Sequence, residues 1–292
     1  MNTASKGIRW GIERRLEFVE FRLFWEDGVN RSDIVEEFGV SVPQASKDLA
    51  LYREQAPDNI RYDRSLKRYF ASDTFRPKFI ELDAAAYLER LTPSTAARGI
   101  DVDGLGDGPL RADRLPIPQR RIKPDVLRGL LASARGGHSI EILYQSMNAK
   151  RSEPLWRRIT PHAFGSDGLR WHVRAYCHID EKFKDFILSR SLDSRAPGPA
   201  GGVASEDRFW NTRFSVQLTP NPRLTKSQKE IVAQDFAMDH GKVAVPVRRA
   251  MLYYFSKRLR LDVAAQFDNP SESPVVVKNR DEFDRALAEA MR

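Results

Sequence analysis

Residues 32–53, SDIVEEFGVSVPQASKDLALYR, constrain the fold more than any other stretch, because they dictate two helices meeting at one tight corner. Ile34 and Phe38 lie four apart on one face of a first helix over Ser32 to Phe38. Gly39 permits the turn, Val40 plugs the corner, and Ser41 caps a second helix. Gln44, three residues on, completes a capping box, and Pro43 is tolerated in the first turn. Ala45, Leu49 and Tyr52 then face inward, with Ala45 small enough for two helices to cross closely. A longer helix precedes the pair, carried by Ile12, Leu16, Val19 and Leu23, and ends at Asp27-Gly28. After Pro57, residues 60–63 and 67–70 read as two short strands around Arg64-Ser65-Leu66. Helix, helix, turn, helix and hairpin is the order of a winged helix-turn-helix.

On that reading Pro43, Gln44, Ser46, Lys47 and Ala50 point outward on the second helix of the pair. Glutamine can read adenine bidentately, lysine can donate to guanine, and Ser41 and Ser46 can serve a base or a phosphate. Arg53, with Arg61, Arg64, Lys67 and Arg68 on the hairpin, would meet phosphates or the minor groove of double-stranded DNA. The bland alternative is an ordinary helical pair with a solvated polar face.

The chain carries 48 Lys+Arg against 40 Asp+Glu, a net charge of +8. Its distribution matters more than its size. Residues 1–76 balance 13 basic and 13 acidic side chains, whereas residues 123–205 hold 13 and 8. The excess therefore lies outside the DNA-reading candidate. A single cysteine, Cys177, rules out an internal disulfide framework. No run approaches 18 apolar residues, so a membrane span is not expected and a cytoplasmic protein is. Residues 77–91 read as a further helix. Two Pro/Gly-rich stretches, 93–118 and 194–202, read as linkers. They give five segments: a DNA-binding domain over 1–92, a linker over 93–122, a β-barrel over 123–193, a linker over 194–207, and an α+β domain over 208–292.

The middle segment opens with a short helix over 123–135. Strands over 139–146, 157–163, 169–177 and 183–190 follow, as in a small, mostly antiparallel barrel. In 169–177 the residues alternate: Trp171, Val173, Ala175 and Cys177 take a core face, and Arg170, His172, Arg174 and Tyr176 take the other. Neighbouring strands add Tyr144 and Ser146, then Arg158, Thr160 and His162, then Phe186, Leu188 and Arg190. Together they suit an anionic ligand such as a nucleotide or a nucleic-acid end. A solvated strand face with satisfied charges is the competing explanation. The last segment reads strand (213–218), helix (225–238), strand (242–247), helix (248–261), strand (273–278) and a helix starting at Asn279.

The run PLWRRITPHAFGSDGLRWHVRAYCHIDEKFKDFILSRSLD (154–193) resembles a WYL domain, an Sm-like barrel of bacterial transcription regulators. The family-naming Trp-Tyr-Leu falls on Trp171, His172 and Val173. RITPHAF, WHVRAYC and FILSR match a subgroup with an amino-terminal winged helix and a carboxy-terminal dimerisation domain, and that resemblance spans essentially the whole chain. It implies a multidomain α+β protein: a homodimeric repressor beside anti-phage systems of the BREX and CBASS types. It also implies a ligand-sensing pocket at Tyr144, Ser146, Arg158, His162, His172, Arg174, Tyr176 and Arg190. A histidine at 172 would make binding pH-dependent. Two rivals follow from the same sequence: a WYL activator that binds single-stranded DNA, and an accessory of a nucleic-acid-processing enzyme. No catalytic residues, metal site or cofactor are expected. Among the five histidines (138, 162, 172, 178 and 240) and Cys177, His172, Cys177 and His178 show no ligand spacing and Cys177 points to the core by alternation, and GLGDG (104–108) has no strand before it to make a phosphate loop.

Overall fold

A computed structural model describes residues 3–91, 115, 117, 118, 120–149, 151–264 and 269–291. Nearly all of the first linker, including GLGDG, lies outside the described residues. The chain forms two units, Met1–Pro116 and Ile117–Arg292.

The first unit is built on α1 (Thr3–Trp25), α2 (Arg31–Phe38) and α3 (Val42–Gln55), followed by the antiparallel hairpin β1 (Ile60–Asp63) and β2 (Arg68–Ala71). Asn30 caps α2 and closes a capping box with Asp33. Gly39 ends α2 at φ 62°, a left-handed position where glycine avoids Cβ strain. Leu16, Val19, Leu23, Ile34, Ala45, Leu49 and Tyr52 form the core, as the helical spacing predicts. Val29 bridges Tyr69 through paired backbone hydrogen bonds, so the hairpin gains a third, one-residue rung.

The helix expected over 77–91 shrinks to α4 (Ala84–Leu91). The cause is the buried carboxylate of Glu20, whose Oε2 accepts the backbone N–H groups of Lys78, Phe79 and Ile80. Amides aimed at Glu20 leave that segment without a helical start, and Asp83 caps α4 instead through the amides of Ala85 and Ala86. The other Glu20 oxygen takes the Tyr52 hydroxyl at 2.8 Å.

The second unit opens with α5 (Pro124–Gly136), closed by Gly137 at φ 64°. Five strands follow: β3 (Ser139–Tyr144), β4 (Leu155–Ser166), β5 (Trp171–Cys177), β6 (Lys182–Ile187) and β7 (Ser191–Gly198). They form one antiparallel sheet in the order β6-β5-β4-β3-β7. A 3-10 turn, Leu188–Arg190, joins β6 to β7. Among the described residues no ladder joins β6 to β7, so the pairing is that of an open sheet, not a closed barrel. Val126 and Leu130 of α5 pack on Ile140, Ile142, Ile159, Val173, Ala175 and Cys177.

Two sequence expectations fail here. Residues 194–198, read as linker, belong to β7 and pair with β3 across two register shifts. Pro197 and two breaks in register are what an edge strand tolerates, and they mask the strand in the sequence. Trp171, assigned to the core, is 53% exposed, because it stands at the first position of β5 beyond the packed helix.

The remainder is α6 (Arg208–Asn211), β8 (Arg213–Pro220), α7 (Lys226–Asp235), β9 (Val243–Arg248), α8 (Leu252–Arg258), α9 (Leu261–Ala264), β10 (Val275–Val277) and α10 (Arg280–Met291). The sheet order is β10-β8-β9. Val216, Leu218, Leu252, Leu261 and Phe283 form its core. Asn279 does more than begin a helix: its carbonyl accepts Gln217 N–H and its amide donates to the Ser215 carbonyl, tying α10 to β8. The helix expected over 248–261 is broken into a 3-10 turn, α8 and α9.

Candidate functional site

In the first unit, α3 presents Pro43, Lys47, Ala50 and Arg53 to solvent, with Ser46 half-buried beside them. Ser41 caps the helix by accepting Gln44 N–H at 3.4 Å, but Gln44 does not complete the box. Its side-chain amide donates to Asp48 at 3.0 Å. Asp48 is buried in turn and takes the Arg15 guanidinium of α1 at 2.7 and 3.3 Å. Sequence spacing marked the apolar inward face of α3 and missed this polar anchor. Nothing local pairs Asp48 with a residue 33 positions earlier. The anchor fixes the rotation of α3 on α1 and aims the Gln44 amide. Ser46 spends its hydroxyl on the Val42 carbonyl at 3.0 Å, a bond that any groove interaction would have to share.

On the hairpin, Arg64 and Lys67 are exposed, and Lys67 sits in the turn at φ 50°. Arg61 lies over the Phe70 ring at 5.2 Å and bonds the Ala71 carbonyl. Arg68, expected to contact DNA, is spent internally: it reaches Asp33 at 3.0 and 3.2 Å and the Asp27 carbonyl at 2.9 Å. It pins the hairpin to the start of α2.

In the second unit the outer face of β5 is polar, as alternation predicts, but it is neither solvated nor open. Arg174 is 6% exposed and Asp207, just before α6, 1%. Arg174 Nε and Nη2 donate to the two Asp207 oxygens at 2.7 and 3.0 Å, and Nη1 donates to Asp185 at 3.3 Å. His162 Nε2 lies 3.0 Å from Asp207 Oδ2, and Oδ1 accepts Trp210 N–H as the cap of α6. Burial alone would raise the Asp207 pKa; the bonds from His162 and Arg174 reverse that and hold it well below the usual carboxylate range. His172, also buried, packs on Tyr254 of α8 with ring centroids 4.4 Å apart, and its Nε2 is 3.4 Å from Asp167. Tyr254 donates to Asp185 at 3.1 Å. This face is a docking surface for the chain's own α6 and α8.

The remaining expected pocket residues scatter. Tyr144 belongs to the core, edge-on to Phe186, with its hydroxyl accepting Ile187 N–H. Ser146 accepts Asn148 N–H in a loop after β3. Arg158 pairs with Glu141 at 3.3 Å and bonds Ser139. Tyr176 packs edge-on to His178 and Phe183. Arg190 lies in the 3-10 turn, and its guanidinium has no hydrogen bond or ion pair among the described residues. Only His162, His172 and Arg174 come together, and what they hold is protein.

Three family models match the chain: the BrxR transcriptional regulator winged helix-turn-helix domain over residues 11–93, the WYL domain over 125–194, and the BrxR transcriptional regulator C-terminal dimerization domain over 213–283. The DNA-binding transcriptional repressor CapW of Stenotrophomonas maltophilia is 37% identical over 295 residues, spanning 99% of this chain and 96% of that protein. Its counterpart in Pseudomonas aeruginosa is 37% identical over 278 residues, with 95% and 92% covered. The one from Escherichia coli (strain KTE188) is 35% identical over the same lengths. The chain belongs to the CapW family.

In this CapW-family chain the imidazole at 172 is a buried polar group whose Nδ1 has no hydrogen-bond partner among the described residues. Burial lowers its pKa, with Asp167 opposing only in part. The unfolded chain therefore takes up a proton near the ordinary histidine value of 6.5 that the folded chain resists. Stability is full above that value and falls as pH drops below it. His178, lowered by burial and then by Arg158, adds in the same direction. Thermal melting from pH 7.5 down to 5.5 (roughly a unit either side of 6.5) should show a falling midpoint, less steep in His172→Gln. A slope unchanged by that substitution would rule out His172 as a contributor.

Proposed function

We propose that the protein is a homodimeric, sequence-specific DNA-binding transcriptional repressor. In this reading one α3 enters each half-site of an inverted repeat, and the C-terminal module dimerises the chain. The CapW relatives' name as DNA-binding transcriptional repressors supports this across nearly the full length. The observation that carries it is the outward face of α3, where Pro43, Gln44, Ser46 and Lys47 stand on a helix locked by the Arg15–Asp48 pair. Gln44 and Lys47 read bases, and Ser41, Arg53, Arg61, Arg64 and Lys67 hold phosphates. Most of the five-stranded sheet lies in the stretch that the WYL domain model matches, and we read it as an Sm-like barrel. We read that sheet as the part that responds to an anionic effector, in control of the chain's own operon or a neighbouring phage-defence operon.

The test is a gel shift on operator fragments selected by the purified protein at fixed salt. Gln44→Ala with Lys47→Ala leaves the Arg15–Asp48 pair and the dimer intact. Removing each base-reading side chain should cost about 1–3 kcal/mol, so specific affinity falls at least tenfold while non-specific binding changes little. Unchanged operator affinity would remove α3 as the reading helix.

A further inference from the structure

The two ends of the five-stranded sheet differ in charge balance, and the difference decides where an anion can sit. On the outer face of β5, Arg170 and Arg174 are met by Asp167, Asp185 and Asp207. The arginines there are already spent on those carboxylates, and Arg174 and Asp207 are buried, so that face has no free cation to offer an incoming anion. The opposite holds at the turn between β5 and β6. Asp180 accepts Arg151 Nη2 at 2.9 Å and Nη1 at 3.4 Å, Arg157 Nη1 at 3.2 Å and Lys184 Nζ at 2.8 Å. Three cations converge on one carboxylate.

The arrangement is partly buried. Arg157 is 3% exposed, and its Nε is a buried donor with no hydrogen-bond partner among the described residues. Arg151 and Lys184 remain partly open to solvent. Asp180 is held far below the usual carboxylate range by the bond from Arg151, against its burial, and by Lys184. It stays ionised and still leaves two positive charges over.

We propose that the corner formed by Arg151, Arg157, Lys184 and Asp180 is a binding site for a terminal phosphate. The charge selects the class. A phosphomonoester carries about −1.5 to −2 at neutral pH and matches the surplus, whereas an internal phosphodiester carries only one charge. Arginine forks suit phosphate oxygens bidentately. This site rests on the reading that the sheet answers to an anionic effector. It moves that effector away from the β5 face, which the chain itself fills.

The experiment uses the full chain and dye-labelled tetrathymidylate, followed by fluorescence anisotropy. One probe bears a 5′-phosphate and the other a 5′-hydroxyl. The phosphorylated probe should bind at least tenfold tighter, and Arg151→Gln with Lys184→Gln should erase that preference while melting and circular dichroism stay those of a folded chain. If the double variant melts early, Lys184→Gln alone should lose part of it. Competition by 5′-AMP separates a free nucleotide from a nucleic-acid end, and either result fits the site. Equal binding of the two probes, no binding of either at about 1 mM, or a preference kept in the double variant overturns the proposal. Operator binding is measured separately on the wild type without probe. Its absence would sink the repressor reading and leave the phosphate result to stand or fall alone.

Discussion

Asp207→Ala destabilises the Ile117–Arg292 unit by about 3–5 kcal/mol, the cost of breaking a buried ion pair from one side. The large value follows from what the carboxylate leaves behind. Arg174 is 6% exposed and loses both acceptors of its bidentate bond, keeping only Asp185 at 3.3 Å. His162 loses its 3.0 Å partner, and α6 loses the cap on Trp210 N–H. The damage spreads, because Trp210 is itself gripped by Arg248 of β9, whose guanidinium bonds its carbonyl and lies 4.8 Å from its ring. Chemical denaturation of the full chain should show the midpoint of this unit falling. Asp239→Ala, at an exposed carboxylate, should shift it by no more than about 0.5 kcal/mol. A loss under about 1 kcal/mol for Asp207→Ala would mean the pair is worth no more than one at the surface.

The first unit has its own such point. Glu20→Ala should cost about 3–5 kcal/mol, since a wholly buried carboxylate leaves and three backbone amides and the Tyr52 hydroxyl lose their acceptor. Tyr52→Phe removes one donor and should cost about 1 kcal/mol. Glu20→Gln falls between, because it keeps one acceptor oxygen. The ordering Ala, then Gln, then Phe at Tyr52 is the measurable signature. Equal losses for Glu20→Ala and Tyr52→Phe would show that the amides of 78–80 have found water instead.

Apolar periodicity recovered α1, α2 and α3, the corner at Gly39 and most of the core face of β5, because each is set by residues a few positions apart. It went astray where a distant polar group intervenes. Glu20 takes the amides that would have begun a helix at 77. Asp48 diverts the Gln44 side chain from its capping box, and Asp33 engages Arg68, which the spacing had assigned to DNA. The candidate pocket fared the same way. Alternation correctly separated His172 and Arg174 from the core, yet no local pattern shows that Asp207, 33 residues on, and Tyr254 of α8 cover them. The surplus of positive charge in 123–205 was legible as a number. Its place was not, since it depends on which arginines are already paired.

One small feature of the winged domain bears on what its operator must look like. Arg68 and the Val29–Tyr69 bridge weld the hairpin to the start of α2, and Arg15 welds α3 to α1. Helix and wing are thus tied to one core by bonds that a change in their separation or angle would have to break. In the repressor reading the give has to come from the double helix. Base steps that neither helix nor wing touches would then be selected for how readily they bend or narrow, and operator strength would track the stiffness of the spacer as well as the letters under α3.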